Sequence, residues 1–393
     1  MADAREAWIT GIGIVSCLGE GPDAHWQKLN EAKPAADLTT FAPYIVHQLA
    51  PINFDAQIPK KGDQRQMENW QRIGTYAAGL ALDSAGVKGN RDILSNMDMI
   101  VAAAGGERDL AVDSAIMSGV PHAENPAAFF NERLMSDLRP TLFLAQLSNL
   151  LAGNISIVHG VTGSSRTFMG EESASVDAVR IAVSRIGAGQ SDIALVGGSY
   201  NAERPDLVLL YEFAGLMLKD KLLPVWERGE KGAFALGSMG AFLVIESSEH
   251  ARARGAKPLA RIAAVVSDRR KRQPGAVTDS LHALWERLPP GPANAAISGA
   301  TGVGPATAEE RAFLAAHGEL AVRATGSYLG HGLEPQFPMN VALATLAIQH
   351  GSLFPPCDPS GLEKPLSGAV DRVLVTSVGH WRGEGLAVIE RVG

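Results

Sequence analysis

A carboxylate, Glu172, stands at the head of a stretch, 173–187, whose small residues along one side favour a helix. A carboxylate at a helix N-terminus gains roughly 0.3–1 kcal/mol from the backbone dipole, so a helix here can hold Glu172 charged. His331 sits alone between glycines in Gly330-His331-Gly332, a setting more often structural than catalytic. A second glycine-rich stretch reads Gly379-His380-Trp381-Arg382-Gly383-Glu384-Gly385, and Arg269-Arg270-Lys271-Arg272 is the densest basic run. Thiol chemistry is poorly served. Cys17 and Cys357 are the only cysteines, too few for a disulfide framework or a cysteine metal site, and each reads as a small buried or loop residue. His25, His122 and His159 have no chemical context and read as surface or core fillers. No metal-ligand spacing or phosphate loop occurs, and Gly11-Ile12-Gly13 lacks the later glycine and helix start of a dinucleotide site. Neither a metal nor a cofactor is expected.

The elements that must position these residues alternate between strand and helix. An apolar strand runs through 7–16, and Asp23 can cap a helix carrying Trp26 and Leu29 on one face. Ile73, Ala77, Leu80 and Ala81 have helical spacing within 70–86, which stops at a glycine. A strand at 97–104, a buried helix within 143–157, the 173–187 helix and a strand at 193–198 follow. The second half repeats this grammar: strands at 241–246 and 259–266, helices at 309–317 and 338–350, and a closing hairpin of 372–377 with 385–391. Short apolar strands alternating with helices indicate an α/β fold with buried sheets. The weaker joints, 268–278 and 288–292, are too short to be free linkers.

The 393 residues, 46% hydrophobic and 20% charged, suffice for a large core in two domains or one duplicated unit. A net charge of −7 argues against general nucleic-acid or anionic-membrane binding. No run of 18 apolar residues exists, so no membrane insertion is expected. The polar start, residues 1–6, is not followed by an apolar signal-peptide region, which makes the cytoplasm the expected location.

Several segments, in order, resemble the β-ketoacyl-acyl carrier protein synthases, condensing enzymes of the thiolase fold. They are 9–13, 82–86, 192–198, 224–228 with 232–246, 249–256 and 327–331. More narrowly, 63–72, 139–158 and 162–172 are similar to alphaproteobacterial synthase-like proteins linked to the very-long-chain acyl group of lipid A. The resemblance covers nearly the whole chain. It implies duplicated βαβαβαββ halves in a five-layer α-β-α-β-α arrangement, with an N-terminal half at 1–246 and a C-terminal half at 247–393.

A ketosynthase forms a thioester through a cysteine thiolate, decarboxylates a malonyl unit with two histidines and a lysine, and stabilises oxyanions. Counting back from Gly197 puts Glu172 where that cysteine belongs, and a carboxylate forms no stable acyl thioester. A one-residue shift would offer Ser173, for which no nearby base is evident. Ala300 takes the first histidine's place and Gly326 the lysine's, while His331 matches the retained second histidine. His380 falls at the gate position of the glycine-rich closing loop, whose Gly379 it follows. Trp381 and Arg382 replace small residues there and are expected to crowd the oxyanion donors; Arg382 is also a candidate partner for Glu172.

The resemblance then implies a degenerate, chain-length-factor-like subunit, paired with an active ketosynthase or forming a homodimer in isolation. The apolar segment 141–158 suits its interface or tunnel wall. The alternatives are a malonyl-carrier protein decarboxylase that makes primers, and a scaffold that binds carrier protein without influencing chain length. Acyl carrier protein is strongly acidic, so Arg269, Arg270, Lys271 and Arg272 are the candidate docking residues, with Arg65 and Arg72 as alternatives.

Overall fold

The structure is a computed structural model and describes residues 5–393; the first four residues of the polar start lie outside it. Ten main strands fall into two sets with the same spatial order. In the first set the sequence across the sheet is Ser165–Phe168, Asp98–Ala102, Ile193–Tyr200, Met239–Ser247, Ala7–Ser16. In the second it is Ala321–Ala324, Ala295–Ser298, Arg372–Val378, Glu384–Glu390, Ala260–Asp268. Each set therefore runs third, second, fourth, fifth, first in chain order. The two first strands meet antiparallel over Ala7 to Ile9, which joins the sets into one hydrogen-bonded sheet.

The core explains the layering. Alternate residues of a strand point to opposite faces. On Met239–Ser247, Phe242 and Val244 pack with Trp70, Ile73 and Leu151 from the helices Asn69–Ser84 and Leu150–His159. Their neighbours Leu243 and Ile245 face the opposite cluster with Val176 and Leu343, from Glu172–Gly187 and Gln336–His350. The second set alternates likewise: Ile297 and Val375 join that central cluster, whereas Ala296 and Leu374 pack with Leu281 and Phe313 from the helices Ala276–Trp285 and Gly304–Ala316. Two central helices are thus enclosed by strands, and further helices cover the outside: the thiolase-like ketosynthase architecture.

Several sequence expectations change. The first helix is Gly21–Asn30, capped at Glu20, so Asp23 lies in its first turn and is not its cap. The helix expected within 143–157 is Leu150–His159, buried on one face only; a second, short helix, Pro140–Ala145, precedes it, and Phe143 and Ile157 are 70% and 71% exposed. The joint at 268–278 already contains the start of a helix, Ala276–Trp285. Three strands of four residues, Ser165–Phe168, Ala295–Ser298 and Ala321–Ala324, are too short to show a period in sequence. Among the described residues, no helix is long and apolar enough to cross a membrane.

Candidate functional site

The site is assembled from three loop ends. Gly170 and Glu171 both take positive φ, and the chain then enters Glu172–Gly187 with Glu172 in the first turn. Positive φ is unfavourable at a non-glycine residue, so the turn at Glu171 is held by its surroundings. His331 is fixed by backbone pairing: its N–H donates to the Ala235 carbonyl at 2.8 Å, and its carbonyl accepts from Gly237 at 3.0 Å. The preceding Gly330, at φ +73°, leaves no room for a side chain, because a Cβ there would lie 2.7 Å from the His47 ring. The third end is the 379–383 turn, closed by the Gly379 N–H donating to the Gly383 carbonyl at 2.8 Å. Arg272 reaches the Gly379 carbonyl and pairs with Glu384 behind this turn.

These ends converge on one carboxylate oxygen. Glu172 Oε1 accepts from His331 Nε2 at 2.9 Å and His380 Nδ1 at 3.0 Å, with the His380 backbone N–H at 3.5 Å. Glu172 and His331 are each 1% exposed. Burial opposes charge on Glu172, but the charge of His380 and the two imidazole hydrogen bonds hold its carboxyl well below the usual range. Burial likewise works against His380, and Glu172 outweighs it, so His380 is raised. For His331 burial wins and its pKa falls. Charge is thus favoured on Glu172 and His380 and disfavoured on His331. Phe234 closes the unit, stacked on His331 at 5.4 Å and edge-on to His380 at 4.9 Å.

The positions that the sequence resemblance matches to a first histidine and a lysine look different. Ala300 is 1% exposed and sits on the turn after Ser298, its N–H donating to Ser298 Oγ at 3.0 Å. A Cβ on Gly326 would come 3.1 Å from Val225 and 3.3 Å from the Ala300 carbonyl. Nearby lies the guanidinium of Arg228. It donates to the carbonyls of Leu223 and Ala233 at 3.0 Å, and to those of Thr301 and Gly326 at 3.5 Å. Burial lowers its pKa to about 10. The sequence reading missed this inward arginine, although its segment, Pro224 to Arg228, was singled out. A basic residue between buried aromatic and glycine positions was the available signal.

One expectation for the gate loop is corrected. Arg382 is solvent-exposed, and Glu172 is paired by His331 and His380 instead. Trp381 is 69% exposed and, with Arg382, lines the cavity beside the site. A cavity of about 620 Å³ opens next to the unit, lined by Glu171, Glu334, Tyr200, Tyr211, Arg204 and Trp381 among others. Glu172 and both histidines lie behind its wall. Glu334, 2% exposed, is pushed up to about 8 by burial, helped by the charges of Glu172 and Glu171. Sequence reading did not reach this acid, since only the fold brings it to the cavity.

The basic run is largely engaged within the chain. Arg269 pairs with Asp177 at 3.0 Å, Arg270 with Asp268 at 2.8 Å, and Arg272 with Glu384, leaving Lys271 as its exposed member outside these pairs.

Fold and site together define a condensing-enzyme scaffold of the thiolase-like class, with a carboxylate heading the helix that faces the retained histidine. The chain belongs to the β-ketoacyl synthase family: residues 4–251 match its description "Beta-ketoacyl synthase, N-terminal domain". It is similar to 3-oxoacyl-acyl-carrier-protein synthase 2 of Vibrio harveyi, 25% identical over 266 residues, or 64% of this chain and 60% of that protein. The protein of the same name from Rhizobium meliloti (strain 1021) is 27% identical over 284 residues, 66% of this chain and 63% of its own length. The chain therefore matches less than two thirds of these relatives. Among solved structures, "The ishigamide ketosynthase/chain length factor" superposes with a TM-score of 0.82 at 19% identity, covering 99% of this chain and all of that one. A β-ketoacyl synthase from Burkholderia phymatum STM815 gives 0.79 at 17% identity, with 99% of this chain and 100% of that one covered. Likeness at such identities establishes the fold.

Proposed function

We propose that this chain is a non-condensing member of its family in fatty acid biosynthesis, which pairs with an active ketosynthase and shapes the acyl chain that partner makes. One observation carries the reading: the residue at the nucleophile position is a buried carboxylate closed by His331 and His380. An ionised carboxylate locked in two imidazole hydrogen bonds supplies no thiolate, and Ala300 and Gly326 supply neither the second imidazole nor the ammonium for decarboxylation.

The pairing surface in this reading is the apolar, solvent-facing ground around 141–158. Phe143 and Ile157 there, with Leu210 and Phe213 on the helix Pro205–Phe213, are 59–88% exposed. Large apolar side chains left to solvent in this way are the kind that a partner chain covers. The resemblance to a ketosynthase/chain length factor structure supports this choice of partner. Docking of acyl carrier protein is assigned to Lys271 and the exposed faces of Arg269 and Arg270. A structure described as a polyketide acyl-carrier protein in complex with its ketosynthase, similar in fold, supports that class of partner. A cytoplasmic location, the halves 1–246 and 247–393, and a role in very-long-chain acylation of lipid A belong to the same proposal. The repeated strand order supports the division, and the segments 63–72, 139–158 and 162–172 support the lipid assignment.

Co-expression with a cysteine-bearing ketosynthase from the same cell tests this function. The expected result is a co-purifying heterodimer whose product length changes when this chain is omitted. An unchanged product distribution would reduce the chain to a scaffold.

A further inference from the structure

The cavity of about 620 Å³ carries polar groups that the protein itself does not satisfy. Three of the residues lining it, Trp70, Tyr200 and Glu334, are 3%, 3% and 2% exposed. Each holds a buried polar atom with no hydrogen-bond partner among the described residues: Trp70 Nε1, Tyr200 Oη and Glu334 Oε2. A buried polar group left in this state costs roughly 1–3 kcal/mol, and a bound group that pairs with it removes that cost.

Hydrogen bonds behind the wall hold these side chains in place. Glu107 Oε1 accepts from the Trp70 backbone N–H at 3.0 Å and from Asn201 Nδ2 at 2.9 Å, and Ser199 Oγ donates to the Trp70 carbonyl at 2.7 Å. The head of Asn69–Ser84 is thus tied to the end of Ile193–Tyr200. Burial and then the charge of Glu334 raise the Tyr200 phenol well above its usual range, so the two polar ends lie within electrostatic reach of each other. Glu334, pushed up to about 8, keeps its proton at neutral pH. An indole N–H, a phenol O–H and a carboxyl O–H can therefore all donate, and the last two can also accept. Leu207, Leu333 and Met169 supply apolar wall to the same cavity.

We propose that this cavity takes an acyl chain bearing a hydroxyl group in preference to a plain hydrocarbon chain, with Tyr200 and Glu334 recognising the hydroxyl and Trp70 supplying a further donor. The inference rests on the acyl-shaping role proposed above and names the class of chain. A hydroxyl both donates and accepts, so it pairs with Glu334 Oε2 and Tyr200 Oη together, whereas a methylene pairs with neither and a carbonyl only accepts. A site built from buried hydrogen-bonding groups discriminates against the analogue that leaves them unpaired.

Calorimetric titration of the full-length protein with lauric, β-hydroxylauric and ω-hydroxylauric acid tests the site without any activity assay. At least one hydroxylated acid should bind about tenfold tighter than lauric acid, the worth of one well-made buried hydrogen bond. Tyr200→Phe and Glu334→Leu should each lose most of that preference while keeping the affinity for lauric acid. Tyr200→Phe retains the ring, so it carries the test if the glutamate variant does not fold. Lauric acid binding as tightly as both hydroxylated acids overturns the proposal and leaves the acyl role standing, and so does an unchanged preference in Tyr200→Phe. No saturable binding of any of the three acids overturns the proposal together with an acyl role for this cavity.

Discussion

In the proposed reading, the two sides of this site depart from the condensing-enzyme pattern in opposite ways. At the proposed nucleophile position stands a carboxylate, and the surrounding histidines close on it within 3.0 Å. At the proposed decarboxylation side stand Ala300 and Gly326, and a buried arginine donates to the neighbouring carbonyls. One side is rewired and the other is filled. A site that had only lost its nucleophile would keep Ala300 as histidine; a site merely decaying would leave Glu172 unpaired. In that reading the contrast points to a retained scaffold in which Glu172 is held by its two histidines.

That contrast can be broken most strongly at Glu172. Glu172→Ala leaves two imidazoles without their acceptor in a buried pocket. It should destabilise the protein by about 3–5 kcal/mol in urea unfolding, the usual result of removing one member of a buried pair. A loss below about 1 kcal/mol would mean the pairing is incidental.

On the filled side, Glu310 accepts from Ser298 Oγ at 2.7 Å and from Thr376 Oγ1 at 2.5 Å, and burial raises its pKa to about 7. Its folded pKa lies above the ordinary 4.5, so the folded protein keeps a proton that the unfolded chain has released. Stability contributed by that proton is present at low pH and is lost between about 4.5 and 7. Glu310→Gln has no such slope. Its stability relative to wild type should improve by on the order of 2–3 kcal/mol across that window, then level off. Parallel pH profiles for the two proteins would remove the titration from the account.

Arg228→Met should have a smaller effect. It strips donors from the Leu223 and Ala233 carbonyls but also relieves a buried cation whose direct hydrogen bonds are all to backbone carbonyls. The net loss should fall toward the low end of about 1–3 kcal/mol in the same unfolding measurement. A loss matching that of Glu172→Ala would erase the distinction between the two sides.

Much of the architecture could be read from the chain, because long apolar strands such as Ala7–Ser16 and Met239–Ser247 end in small residues and stand out. The 173–187 helix was placed within one residue of its start for the same reason. Short strands such as Ala321–Ala324 carry too few residues to reveal a period. Glu172, His331 and His380 were each identified as site positions, but their closure on one oxygen joins residues 208 apart and depends on how the gate loop turns. Arg382 was assigned to Glu172 on charge alone. The turn at Gly379 and Gly383 sends it outward and leaves His380, two residues earlier, to make the pair.

The central claim is that the rewired side performs no thioester chemistry and that the filled side cannot support it. The direct measurement incubates purified wild type and Glu172→Cys with acyl- and malonyl-carrier protein, following protein mass and carbon dioxide release. Wild type should gain no acyl group and release no carbon dioxide at high enzyme concentration. Any acyl group on Glu172→Cys should sit on the new thiol, and the variant should still yield no condensed product, since Ala300 and Gly326 are unchanged. Carbon dioxide release by wild type, or a β-ketoacyl product from the cysteine variant, would contradict the account.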